Sequence, residues 1–289
     1  GVAAGRIEEV IGTRPSVTDR EQVQDEKLRS AKGVVSFEDV SFRYPGADED
    51  ALENLTFTAG PGETTAVIGS TGCGKSTLVN LIPRFYDVTA GRITIDGVDI
   101  RDLSQHKLRS LLGYVPQKAV LFSGDIASNL KFGGTWQDGA SDITDSSMEE
   151  AARIAQATEF IESKTEKYHS KISQGGTNVS GGQKQRLSIA RAIAKSPKIY
   201  LFDDSFSALD YKTDVTLRRA LREKTGDATV IIVAQRISTI LNADRIIVLD
   251  DGKIAGMGTH RELLRECEAY REIARSQLSE AELKGGAAV

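Results

Sequence analysis

Gly69-Ser70-Thr71-Gly72-Cys73-Gly74-Lys75-Ser76-Thr77 is the stretch on which the fold turns. It fits G-x-x-x-x-G-K-[ST] and lies between an apolar run, Thr65 to Ile68, and a helix-periodic one carrying Leu78, Val79, Leu81 and Ile82. Glycines let the backbone curl so that successive N–H groups point at phosphate oxygens, and the start of the following helix adds partial positive charge. Lys75 can reach the terminal phosphates, and Ser76 offers a hydroxyl to Mg²⁺. A plain glycine-rich turn is the bland alternative, and the strand-then-helix setting argues against it. The motif specifies nucleotide binding without specifying the reaction. Cys73 reads as a small filler, since nothing near it argues for a catalytic thiol.

Two further β-rich runs follow at wide spacing, Ile199 to Phe202 and Val230 to Ala234. Together with Thr65 to Ile68 they predict strands buried on both faces and separated by helices, hence a mostly parallel sheet in an α/β fold. Asp203 ends the second run, where an acidic residue can hold Mg²⁺, through water; a carboxylate merely capping a turn is the alternative. Alternation over 35–42 and the run Leu55 to Ala59, closed by Gly60-Pro61-Gly62, predict an N-terminal antiparallel sheet. Between the first two runs lies a helix-rich insertion, with Ala151, Ile154, Ala155 and Ile161 on one helix face. Residues 133–147 read as a polar surface loop. Residues 1–32, with Ile7, Val10 and Ile11 at helical spacing before Pro15, read as a helix end and linker, and 276–289 as a fraying tail.

Composition narrows the function classes. The 289 residues carry 37 Lys+Arg against 41 Asp+Glu, a net charge of −4, so a basic nucleic-acid coat is excluded. Apolar residues make up 39 % of the chain, enough for a sizeable core. The longest uninterrupted apolar run, Val230 to Ala234, is far below the roughly 20 residues of a membrane-spanning helix. The 2 cysteines are too few for a disulfide framework, and the expected setting is reducing and cytosolic. His106, His169 and His260 lack zinc-type spacing.

Val179-Ser180-Gly181-Gly182-Gln183 opens another helical pattern through Leu187, Ile189, Ala190, Ile193 and Ala194. Ser180 and Gln183 have capping-box spacing, and a helix start with two glycines behind its cap offers bare N–H groups to an anion. On pattern alone it could equally be a well-capped helix.

The glycine loop, Ser180 to Gln183, Ile199 to Asp203 and Ser207-Ala208-Leu209-Asp210 occur in the order found in ATP-binding-cassette proteins, and the likeness runs from about Val34 to Ile273. The chain resembles the nucleotide-binding domain of an exporter of that family. The resemblance implies a P-loop NTPase (RecA-like) core with an N-terminal antiparallel β subdomain and an inserted α-helical subdomain at about 119–194, all within 33–275. It also implies ATP and Mg²⁺ as ligands: Gly69 to Thr77 around the phosphates, Tyr44 stacked on adenine, Ser76, Gln117 and Asp203 at the metal. Two such domains pair head to tail, each ATP lying between the glycine loop of one and the Ser180 to Gln183 segment of the other. The partners implied are that second domain and the transmembrane domains of the same transporter, at the cytoplasmic face of a membrane, with no nucleic acid. Gly5 to Ile11 resembles the end of a last transmembrane helix, so the chain is expected to be a piece of a longer polypeptide.

The sequence departs from that family at three positions. Active members carry a glutamate directly after the metal-facing aspartate that Asp203 matches, and here Asp204 is one methylene shorter. A general base must lie within about 2.6–3.2 Å of the proton it takes, and positioned bases contribute about 10²–10⁴-fold. Where the family has a γ-phosphate-contacting histidine stands Gln235, which can donate a hydrogen bond but cannot become cationic. Gln174 replaces the usual glutamate ahead of Ser180 to Gln183. Lys75, Tyr44, Asp203 and Ser180 to Gln183 are kept. The pattern resembles the degenerate-site member of a heterodimeric exporter, binding tightly and hydrolysing slowly. An ordinary hydrolytic homodimer and a non-transport clamp protein remain as alternatives; other P-loop enzymes such as kinases or GTPases would have no reason to keep Ser180 to Gln183.

Overall fold

Alternating apolar residues build two sheets whose inner faces share one core. The computed structural model describes residues 5, 6, 11–13, 15–137 and 140–278. In chain order, β1 (Val35–Phe42), β2 (Leu52–Ala59), β3 (Thr64–Gly69), β4 (Ala90–Ile95), β5 (Val98–Asp99) and β6 (Leu112–Val115) precede the helical insertion. Inside it, β7 (Gly124–Asp125) pairs with β10 (Lys171–Ile172), and β8 (Trp136–Gln137) with β9 (Ala140–Ser141). Then follow β11 (Ile199–Asp203), β12 (Thr229–Val233), β13 (Arg245–Asp250) and β14 (Lys253–Gly258).

The larger sheet has the order β14-β13-β3-β12-β11-β6, parallel from β13 to β6, with β14 returning antiparallel. The smaller is antiparallel in the order β2-β1-β4-β5. Every residue of β11 and β12 is buried, as strands covered on both faces require. Their side chains alternate between two cores. Leu201, Ile231, Val233 and Val67 face β1, β2 and the helix Lys75–Leu81. Phe202, Ile232 and Ile68 join a second core with the helices Asp145–Ile154, Gly181–Ala194 and Tyr211–Lys224. The glycine loop therefore leaves β3 at the carboxyl edge of a sheet packed on both sides, where ligands of open α/β sheets bind.

Several expectations need correction. Ala151, Ile154, Ala155 and Ile161 are all buried but not on one helix. Gln156, at φ +56°, ends Asp145–Ile154, and Thr158–Glu162 is a separate turn. Residues 133–147 are not simply loop: they contain β8 and β9, and Thr144 caps the helix Asp145–Ile154 through the Ser147 N–H. β2 begins at Leu52, not Leu55.

The linker is also more than a tether. Asp25 accepts hydrogen bonds from Ser104 N and Oγ at 2.9 and 2.7 Å, Asp19 from Gln105 N at 3.0 Å, and Arg20 pairs with Asp102. Leu28, in the short 3₁₀ turn Asp25–Leu28, is fully buried against the antiparallel sheet. Ser276 and Gln277 end the helix Glu268–Gln277 and do not fray. The helical spacing of Ile7 and Val10 and the tail beyond Leu278 lie outside the described residues. Among the described residues no helix is long and apolar enough to cross a membrane.

Candidate functional site

The loop from Gly69 to Gly74 turns sharply because its glycines are placed where a side chain could not be. Gly72 and Gly74 adopt φ +86° and +102°, values that L side chains rarely accept. A Cβ on Gly69 would sit 2.2 Å from the Leu249 carbonyl oxygen, and one on Gly74 2.8 Å from that of Ala51, whereas around Gly72 nothing lies within 4 Å. Close backbone approach sets two of these glycines, and the third faces open space. Lys75, largely buried at the start of the helix Lys75–Leu81, donates from Nζ to Gly69 O and Ser70 O at 2.9 and 2.6 Å. Cys73 is buried, with its Sγ 3.8 Å from that ammonium. Ser70 and Thr71 form the exposed crest of the loop.

Ser76 Oγ donates to Asp203 Oδ1 at 3.0 Å, bringing the helix start to the end of β11. Burial pushes the Asp203 carboxyl above its ordinary value, and the neighbouring Asp204 charge adds to this; the Ser76 hydrogen bond and Lys75 work in the opposite direction. A buried carboxylate beside a hydroxyl suits a hard divalent cation that keeps several waters and takes other ligands from phosphates. Among the described residues no cluster of three or more His, Cys, Asp or Glu offers a cage for a metal. Ser76 and Asp203 supply two oxygen ligands of the kind such a cation takes.

Asp204 lies one residue beyond β11 with φ +47°, its N–H bonded to Val233 O at 2.9 Å. Its Oδ2 accepts from Gln117 Nε2 at 3.1 Å and from Gln235 Nε2 at 2.8 Å. Three residues picked from separate motifs thus meet at one oxygen atom.

Tyr44 approaches the loop helix by another route. Its hydroxyl bonds Thr77 Oγ1 at 2.9 Å, while its ring lies edge-on to Phe42 and Tyr86 at centroid distances of 4.7 and 5.3 Å. The aromatic is half-buried beside the glycine-loop helix, within a cluster of its own.

Ser180 caps the helix Gly181–Ala194 with a complete capping box: Gln183 N donates to Ser180 Oγ, and Ser180 N to Gln183 Oε1 at 3.1 Å. Ser180 and Gly181 are exposed, and a Cβ on Gly181 would meet nothing within 4 Å. Among the described residues, no hydrogen bond draws this segment to Lys75, Ser76 or Asp203. Gln174 is likewise exposed, in a 3₁₀ turn before it.

Three supports escaped the sequence reading. Ser205, fully buried, donates to Val115 O at 2.8 Å and ties the Asp204 loop to the strand leading to Gln117. Gln185 Nε2 reaches Pro116 O at 3.4 Å from the helix Gly181–Ala194. Gln277 Nε2 donates to Gln235 O at 2.8 Å from the last turn of its helix. Each is a side-chain to backbone bond between distant segments, and none leaves a periodic or motif signal in sequence.

The family profile described as ABC transporter matches residues 52–207, more than half of the 289 residues. An uncharacterised ABC transporter ATP-binding protein of Mycobacterium bovis is 47 % identical over 284 residues, which is 98 % of this chain and 48 % of the relative. The ATP-dependent lipid A-core flippase of Haemophilus influenzae is 39 % identical over 267 residues, 91 % of this chain and 45 % of the flippase. Among solved structures, that of a bacterial Atm1-family ABC exporter with ATP bound superposes with a TM-score of 0.87 at 36 % identity, covering 97 % of this chain and 48 % of the exporter. The chain spans about half the length of the curated relatives it matches. The profile match takes in both glycine-rich segments, Asp203 and Asp204, and the fold agrees over nearly the whole chain: it belongs to the ABC transporter family.

Proposed function

We propose that this chain is the ATP-binding domain of a membrane exporter and that it works opposite an unlike second domain. Its glycine loop binds Mg·ATP through Gly69 to Thr77, with Lys75 on the phosphates, Ser76, Gln117 and Asp203 toward the metal, and Tyr44 beside the base. The bound nucleotide acts at this site mainly to hold two domains together, and cleavage here is slow. Ser180 to Gln183 serve the site on the partner, which fits the exposure of Ser180 and Gly181 and the open space in front of Gly181.

The observation that carries the reading is the arrangement around Asp204. Its shorter carboxylate is engaged through Oδ2 by two neutral amides, those of Gln117 and Gln235. An attacking water needs a general base within hydrogen-bond reach, and withdrawing that base by a methylene removes much of a factor of about 10²–10⁴. Gln235 can donate to a developing negative charge but adds no positive charge of its own. Binding groups are complete and hydrolytic groups are weakened.

A membrane-domain partner is supported by a cleft of about 220 Å³ lined by Pro83, Phe85, Tyr114, Arg191 and Lys195 among others. Phe122 and Phe132, stacked at 4.3 Å, are also exposed, with the Arg191 guanidinium over both rings. Burial pushes Arg191 down to about 10. Exposed aromatics around an apolar cleft mark a docking surface.

The test is Asp204→Glu in the complex with the partner domain. Turnover at this site is expected to rise by about tenfold or more, because the restored methylene brings the carboxylate within reach of the water. An unchanged rate removes Asp204 as the cause of slow cleavage.

A further inference from the structure

Gln235 is fixed less by its own loop than by side chains that reach the loop from two helices. From the last turn of Glu268–Gln277, Gln277 makes a two-point grip: its Nε2 donates to Gln235 O and its Oε1 accepts from Ile237 N, both at 2.8 Å. From Tyr211–Lys224, Arg218 donates to Thr239 O at 3.0 Å and to Ser238 O at 3.4 Å. Asp214 holds that guanidinium with two bonds of 2.8 Å. Four backbone groups between residues 235 and 239 are therefore bound by side chains from outside the loop. The amide at its start is the one that bonds Asp204 Oδ2 at 2.8 Å.

We propose that Gln277 is a positioning residue for the hydrolytic site, holding Gln235 on Asp204 by clamping the backbone on both sides of Arg236. The inference rests on the ATP reading above and extends it to the C-terminal helix. A carboxamide suits the task because it offers one donor and one acceptor in a fixed plane, matching a carbonyl and an N–H two residues apart. Gln277→Glu keeps the acceptor for Ile237 N and loses the donor to Gln235 O. Gln277→Leu loses both and keeps comparable bulk. The helix itself is anchored elsewhere, through the fully buried Tyr270 and Ala274, so removing the amide leaves its packing in place. Arg218 holds the far end of the loop, so the effect of Gln277 is confined to the end that carries Gln235.

The experiment uses the full chain in complex with the partner domain, in five versions: parent, Gln277→Leu, Gln277→Glu, Gln235→Ala and the double variant Gln277→Leu/Gln235→Ala. Two quantities are read, the affinity for a fluorescent ATP analogue with Mg²⁺ and the single-turnover rate of ATP cleavage. Hydrogen exchange across 235–239 is followed alongside. For Gln277→Leu the expected result is unchanged affinity and faster exchange at Ile237. The cleavage rate is expected to fall by about three- to tenfold, the range that the net worth of one neutral hydrogen bond corresponds to. In the Gln235→Ala background the same substitution is expected to change the rate by less than about twofold, because the residue being positioned is gone. Gln277→Glu is expected to fall between parent and Gln277→Leu. Equal loss in both backgrounds, or exchange at Ile237 that does not change, overturns the positioning role. A parent that binds no nucleotide sinks the ATP reading and the inference with it. A parent that binds and cleaves, with Gln277→Leu indistinguishable from it, sinks the inference alone.

Discussion

Gly181→Ala separates what the fold needs from what a partner needs. Gly181 is the first residue of its helix, directly behind the Ser180 cap. A Cβ there meets nothing within 4 Å, whereas the same atom on Gly74 would lie 2.8 Å from a backbone oxygen. No steric cost enters, and alanine favours both the helix and a less flexible unfolded chain, each by at most about 1 kcal/mol. Stability is therefore expected to hold or to rise by up to ~1 kcal/mol, which for a chain of this size moves the melting temperature by only about 2–4 °C. Nucleotide binding at the chain's own glycine loop should not change, because no hydrogen bond joins the two segments. On the proposed pairing, the new methyl would stand beside the N–H groups offered to the partner's triphosphate. Turnover at the partner's site is expected to fall at least tenfold, a barrier increase of about 1.4 kcal/mol. Unfolding in urea, analogue binding and turnover of the complex read the three terms separately. A variant that keeps full turnover, or one destabilised by more than about 1 kcal/mol, refutes the assignment of Gly181 to a neighbour's site.

Two other consequences concern the scaffold. Gly69→Ala would drive a Cβ to 2.2 Å from Leu249 O and 2.6 Å from Cys73 Sγ. The obstacle is the backbone of the paired strand β13, so a loss of about 3 kcal/mol is expected, read as a lower urea midpoint; an unchanged midpoint contradicts the packing. Burial, with the Arg261 charge second, holds the His260 imidazole below its ordinary 6.5, next to Tyr270 OH at 2.7 Å. The folded chain then binds fewer protons than the unfolded one below pH 6.5. That contribution to stability is complete above this pH and declines as pH falls through it, by at most ~1.4 kcal/mol per unit. His260→Asn should flatten that part of the profile, and an identical slope refutes it.

The parts of the fold that periodicity and close-packed glycines control were legible in sequence. β11 and β12 announce themselves as unbroken apolar runs, and 35–42 matched its strand from end to end because one face of β1 is core. β13 carried the same sign, Ile246-Ile247-Val248-Leu249, and went unread although it lies beside β3. The polar supports were out of reach for a different reason. Asp25 on Ser104, Ser205 on Val115 and Gln277 on Gln235 join residues 79, 90 and 42 positions apart. A single side chain meeting a backbone group leaves no repeat to detect. For the same reason the 1–32 segment looked like a solvated linker: Asp19, Arg20 and Asp25 have the composition of one, and their partners lie past residue 100.

Because Asp19 and Asp25 fasten that segment to Ser104 and Gln105, and Arg84 grips the Thr18 carbonyl at 3.0 Å, a displacement imposed ahead of Thr18 is not first felt at β1. It arrives at the corner formed by Arg84 and the helix Gln105–Ser110, whose Arg109 also borders the apolar cleft. The tether and the cleft thus share one short helix, joined to the first at its start through Ser104 and Gln105 and to the second through Arg109.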